Sequence, residues 1–190
     1  MEKILIGGVL YFARNGDLES ASAMIGRNKE KIAINEQDNN KRTFLSYAAE
    51  NGSISSVRLA LSLKADPDIC DKTGMTALMY STKNGNTNCT VELLAKIKNV
   101  DVLDKNGWSA LMHAAAGGRR MDVMLLLKRG ALKELKNNEN LNAAAIAHIY
   151  GWKELHTFIK NYGKENRRGL KTWLFSIHNK IKTKKLIGFF

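Results

Sequence analysis

Cysteine is nearly absent. The chain of 190 residues carries only Cys70 and Cys89, too few for a disulfide framework and without the Cys/His pairs that a zinc site needs. Cys89 falls at an apolar position of a helical period and reads as an inert core thiol, while Cys70 lies in a loop; together they fit a reducing compartment, with no metal or cofactor expected. Catalytic grammar is missing as well. There is no Gly-x-x-x-x-Gly-Lys phosphate loop, no Gly-x-Ser-x-Gly elbow and no His-Glu-x-x-His, which argues against phosphate-loop hydrolysis, serine-hydrolase and zinc-protease chemistry, and no enzymatic activity is expected. No apolar run approaches the roughly 20 residues that a membrane-spanning helix needs. Acids are in short supply too: 18 Asp and Glu against 30 Lys and Arg give a formal charge of +12. The excess is uneven, because residues 164–190 alone contribute +7.

What the chain does have is a period. Asp-Lys-Thr-Gly-Met-Thr-Ala-Leu-Met from Asp71 returns as Asp-Lys-Asn-Gly-Trp-Ser-Ala-Leu-Met from Asp104, with a worn copy at Asp38, each 33 residues apart. Gly52, Gly85, Gly118 and Gly151 keep the same step, as do Leu45, Leu78 and Leu111. Small residues precede the glycines: Ala48 and Ala49, Ser81 and Thr82, Ala114 and Ala115, a spacing that lets two helices approach closely. After each glycine, apolar residues recur at helical spacing, as in Cys89, Leu93 and Leu94 or Val123, Leu126 and Leu127. Each unit therefore reads as a short helix, a turn at glycine, a longer helix and a loop, stacked on copies of itself. In the loop, Gly74 and Gly107 can take a positive φ, and Thr76 or Ser109 can cap the next helix. The recurrence of Asp38, Asp71 and Asp104 at the repeat period assigns them to loop geometry rather than to catalysis.

These units resemble ankyrin repeats. Thr76-Ala77-Leu78-Met79 and Ser109-Ala110-Leu111-Met112 stand at the family's Thr-Pro-Leu-His tetrapeptide, Arg129-Gly130-Ala131 stands at its Gly-Ala loop, and the similarity covers roughly residues 10 to 163. The chain departs from the family in replacing the proline by Phe44, Ala77, Ala110 or Ala143, and the histidine by Ser46, Met79, Met112 or Ala145. That histidine ties neighbouring units together by hydrogen bonds in the family, so its loss bears on rigidity; Met79 and Met112 can compensate by packing. The resemblance implies an all-α solenoid of helix-turn-helix units with β-hairpin-like loops, three clear repeats between two degenerate caps. The expected organisation is a degenerate unit and linker at 1–36, repeats at 37–70, 71–103 and 104–136, a degenerate repeat at 137–163 and a basic amphipathic tail at 164–190. Ile4 to Ala13 followed by Ala21-Ser22-Ala23 has some likeness to a secretion leader, but Arg14, Asp17 and Glu19 interrupt it and fit the first unit's helices. The expected location is cytoplasmic, with a nuclear alternative.

The resemblance further implies a binding scaffold whose partner, an unidentified protein, meets the loop tips and the exposed side of the first helices. Carried across by position, the candidates are Arg42, Tyr47, Met75, Tyr80, Lys83, Asn84, Lys105, Asn106, Trp108 and His113, with Lys72, Glu50, Asn51, Asn138, Leu141, Ile146 and Tyr150 alongside. Trp108, Tyr80 and Met75 are the most suggestive, since exposed aromatics serve as interface anchors; the competing reading has Trp108 and Met75 lying flat on neighbouring loops and serving only the stack. His113, one residue past the family histidine, is expected to point outward. The lysines and Arg42 favour a partner with an acidic surface, and a monomer is expected.

In the tail, Leu170, Trp173, Leu174, Ile177 and Ile181 fall on one helical stripe, with Lys171, Lys180, Lys182 and Lys184 mostly off it, and Trp173, Lys180, Lys182, Lys184 and Lys185 are its candidate contacts. Three readings compete: a cap over the last unit, a basic amphipathic helix on an anionic membrane or in a partner's groove, and a nucleic-acid or nuclear-import segment. The last is the weakest, because no reading motif accompanies the lysines.

Overall fold

The computed structural model describes residues 2–163, and the readings of Trp173 and the lysines Lys180 to Lys185 lie outside them. Among the described residues ten α-helices run in order: α1 Glu2–Arg14, α2 Leu18–Arg27, α3 Phe44–Asn51, α4 Ile54–Ser62, α5 Ala77–Asn84, α6 Thr87–Leu94, α7 Ala110–Ala116, α8 Arg120–Lys128, α9 Ala143–Ile149 and α10 Lys153–Asn161. No strand forms among the described residues. Each odd helix packs on its even partner and on the next odd helix, so α3, α5, α7 and α9 make one layer and α4, α6 and α8 a second.

Local chemistry sets both ends of every first helix. Thr43, Thr76, Ser109 and Asn142 each accept a hydrogen bond from the backbone N–H three residues on, at 3.2, 3.3, 3.3 and 2.9 Å, the side-chain capping expected from Thr76 and Ser109. At the other end, Gly52, Gly85, Gly118 and Gly151 hold φ of +74, +75, +65 and +82°. Three of them also lie under the next unit: a Cβ on Gly52, Gly85 or Gly118 would meet the side chain of Asn86, Arg119 or Trp152 at 2.7, 2.7 or 2.5 Å. The glycines therefore answer two demands, a left-handed cap and a close neighbour.

The core follows the repeat frame. Ala48, Ala49, Ser81, Thr82, Ala114 and Ala115 are all fully buried, and the two hydroxyls among the six are satisfied by the carbonyls of Leu78 and Met79. Met79 and Met112, in the place of the family histidine, are buried to 1 % exposure, so apolar packing fills that position. Cys89 is likewise buried, and burial pushes its thiol above the ordinary value. At the N-terminal end Val9, Ala13, Leu18, Ala21 and Ile25 join the same core. His148 departs from its aligned neighbours Ala49, Thr82 and Ala115. It is exposed, with its ring 5.2 Å from that of His156.

Candidate binding groove

The loops are built by one carboxylate used three times. Oδ1 of Asp38 accepts from the N–H groups of Asn40 and Arg42 at 2.8 and 2.9 Å; Asp71 does so from Thr73 and Met75 at 2.7 and 3.0 Å; Asp104 does so from Asn106 and Trp108, both at 2.9 Å. Asn137 repeats the pattern toward Glu139 and Leu141. The tips are then laced together, Lys72 N–H to Asn40 O at 2.9 Å, Lys105 N–H to Thr73 O at 2.9 Å and Asn138 N–H to Asn106 O at 3.1 Å. This is a hairpin-like ladder, without strands among the described residues, and it places the periodic acids in loop geometry.

Their second oxygen reaches the first helix. Tyr47 donates its hydroxyl to Asp38 Oδ2 at 2.6 Å, Tyr80 to Asp71 Oδ2 at 2.5 Å, and His113 Nε2–H to Asp104 Oδ2 at 2.9 Å, each nine residues on. In the fourth unit the residue at that position is Ile146, and Asn137 stands where the acid was; its Nδ2 is buried without a partner. Burial, the largest influence, raises the Asp38 and Asp71 carboxyls, but the hydroxyl and backbone donors outweigh it and both end below the ordinary value. The tyrosines move the other way. Burial and then the carboxylate push Tyr47 up to about 12 and Tyr80 upward as well.

These contacts correct part of the expected binding face. Tyr47, Met75 and Tyr80 are 3, 7 and 9 % exposed, because the tyrosines are committed to their own loops and Met75 packs into the core. Arg42 is consumed too: its guanidinium carbon lies 3.9 Å from the Tyr47 ring centre and 4.2 Å from that of Tyr80, and its Nη2 pairs with Glu50 at 2.6 Å. A cation between two aromatic faces, each contact worth about 0.5–2 kcal/mol, closes this face over the first two clear repeats. His113 is also not outward-pointing. Its side chain is 11 % exposed, and burial lowers its pKa more than Asp104 raises it.

Beyond that closure the same face opens. Following the register, Glu50 and Lys83 give way to Ala116, and Asn51 and Asn84 to Gly117. With one long and one short side chain missing here, a pocket of about 660 Å³ is left, lined by Lys83, Asp104, Asn106, Trp108, His113, Ala116, Gly117, Asn138, Glu139 and Tyr150. Trp108 is half-buried, with its ring 5.2 Å from that of His113, so the indole both leans on the stack and faces the pocket. Tyr150 is 58 % exposed. Lys83, Asn84, Lys105 and Asn106 are exposed as expected. The structure thus brings together Lys83, Asn106, Trp108 and His113 from the expected set, and separates off Arg42, Tyr47, Met75 and Tyr80. Glu139 was not singled out in the sequence; its position beside the pocket follows only once the loop tips are stacked.

Other chemistry is sparse. Among the described residues no group of three or more His, Cys, Asp or Glu side chains is placed to hold a metal ion, and no described helix is long and apolar enough to cross a membrane. Cys70 is partly buried, its thiol 3.6 Å from Asp68 O and raised above its ordinary value by burial and then by Asp71 and Asp68, which disfavours a reactive thiolate.

Stacked helical pairs laced at their loop tips, with an open pocket on the loop side, define a solenoid of the interaction type. Residues 56–137 match the family model for ankyrin repeats, in three copies, and this part of the chain is an ankyrin-repeat stack. Comparison with curated proteins returns no match. Ankyrin repeats in general mediate protein–protein interaction and are typically non-enzymatic modules.

Proposed function

We propose that the protein is a non-enzymatic adaptor, a cytoplasmic monomer that holds a partner protein in the groove between α7 and α9. The observation that carries this reading is the pocket opened by Ala116 and Gly117. Two units earlier on the same face Arg42 lies between the rings of Tyr47 and Tyr80 and pairs with Glu50, where this unit has only Ala116 and Gly117. A cavity of this size is within the range of ligand pockets, about 300–1,000 Å³. Exposed Lys72, Lys83 and Lys105 supply the partner-facing charge.

The test is a filling substitution. Ala116→Glu installs the residue that stands as Glu50 two units earlier, so the backbone already accepts it. Capture from cell extract, read by quantitative mass spectrometry, is expected to yield a partner with the parent chain and to lose it with Ala116→Glu, while the circular dichroism melt stays unchanged. Identical capture by the two proteins would remove the groove from consideration.

A further inference from the structure

The groove's chemistry narrows its occupant, and this step rests on the adaptor reading above. Three facts decide it. First, the buried acid of the pocket is largely engaged: Asp104 accepts two backbone N–H groups and His113, which take up about three of the roughly four acceptor sites of a carboxylate. Second, the exposed charge on this face is mainly positive: Lys83 on α5 lines the opening and Lys72 and Lys105 stand exposed on loop tips, against the exposed acid Glu139 and the buried, hydrogen-bonded Asp104. Third, part of the lining is flat and aromatic, beside the polar Asn106, Asn138 and Glu139. Trp108 and His113 lie ring against ring at 5.2 Å, Tyr150 is 58 % exposed, and Ala116 and Gly117 leave the floor without a projecting side chain.

We infer that the pocket between α7 and α9 takes an aromatic side chain from an acidic segment of the partner protein. The ring enters over Ala116 and Gly117 between Trp108 and Tyr150, where aromatic pairs gain from offset or edge contacts. Flanking carboxylates meet Lys83 on one side and the lysines of the loop tips on the other. Burial lowers the His113 pKa and so favours its neutral ring; Lys83 lowers it further, while Asp104, which holds the ring, acts the other way. Basic segments are disfavoured by the same lysines.

The experiment uses fluorescein-labelled synthetic peptides and the full-length chain, read by fluorescence anisotropy. The probe carries one phenylalanine flanked by glutamates; one control replaces the glutamates by lysines and another replaces the phenylalanine by alanine. The phenylalanine–glutamate peptide is expected to bind, to weaken about tenfold or more on Lys83→Glu, to weaken with added salt, and to be lost with Ala116→Glu. Each control peptide should bind at least about tenfold more weakly. Failure of the phenylalanine–glutamate peptide to bind, or equal binding of either control, overturns the inference. If that happens while protein capture still depends on Ala116, the groove remains a binding site and only the assigned chemistry falls; if capture is indifferent to Ala116, the adaptor reading itself is lost.

Discussion

Single residues at equivalent positions show how the repeat frame is spent differently from unit to unit. The position of Ser56 and Cys89 in α4 and α6 is Asp122 in α8 and Leu155 in α10, and all four are buried. For Asp122 that burial is expensive: Oδ2 accepts from the Thr87 hydroxyl at 3.1 Å, but Oδ1 is buried with no partner. Burial raises its pKa above the usual 3.8 more than Thr90, Thr87 and Arg119 lower it. A carboxyl raised on folding favours the folded state only while protonated. That advantage is complete below about 3.8 and is lost as the pH climbs through the raised folded value. At neutral pH the charged group opposes folding, apart from the favourable term of an acid in the first turn of a helix. Asp122→Asn is therefore expected to be more stable than the parent by about 1 kcal/mol at pH 7, with the gain shrinking toward pH 4. Urea denaturation at the two pH values reads this directly. A variant that is weaker at pH 7, with a deficit independent of pH, would show that the carboxylate is well solvated.

At the scale of elements, the joint between units is a glycine under a large side chain. Gly118 and Gly151 both close a first helix at positive φ, yet a Cβ on Gly118 would strike the Trp152 ring at 2.5 Å, whereas one on Gly151 would meet nothing within 4 Å. Trp152 is pinned there by its indole N–H, which donates to Ala116 O at 2.9 Å. Gly151→Ala should cost only the backbone strain, about 1 kcal/mol, and Gly118→Ala clearly more, about 2–3 kcal/mol. Equal melting temperatures for the two would mean that Trp152 swings aside freely. The period, the caps and the glycine turns were legible in the sequence because each is a local demand repeated at 33 residues. The fate of the face was not. Tyr47, Tyr80 and His113 share a register whose meaning depends on an acid nine residues earlier, and the Arg42 clasp joins Tyr47 in one unit to Tyr80 in the next. Trp108 stood out in the sequence as a candidate anchor, while Ala116 stood out only as differing from the aligned Lys83. Only stacking shows that small residues at 116 and 117 open a pocket, and that large ones at Glu50, Tyr47 and Tyr80 close it.

For the whole molecule, the layout is one-dimensional: α3, α5 and α7 each have a neighbour on both sides, while α9 and α10 are covered by described residues on one side only. Coupling between units is nearest-neighbour in character. Arg58–Glu92 at 2.8 Å and Arg120–Glu154 at 3.1 Å are exposed pairs between consecutive units, worth little each, so the glycine joints and buried small residues carry most of the coupling. At the last described unit Ile149, Tyr150 and Trp152 are 62, 58 and 45 % exposed, and α10 contributes to the core chiefly through Leu155 and Ile159. In a stack of this kind the free energy of opening should be graded along the chain. Hydrogen exchange is expected to be slowest in α5 and α7 and faster in α10. Leu155→Ala sharpens the point, because truncating a buried leucine costs about 2–5 kcal/mol. If units open separately, that loss falls on α9 and α10, whose exchange accelerates, while α3 to α6 keep their parental rates. If every helix accelerates together, the stack unfolds as one unit and the groove between α7 and α9 shares its full stability. In the graded case the groove has one stable wall, α7, and one that opens more readily, α9, so a bound segment that touches both Trp108 and Tyr150 should slow exchange in α9 and α10 more than anywhere else.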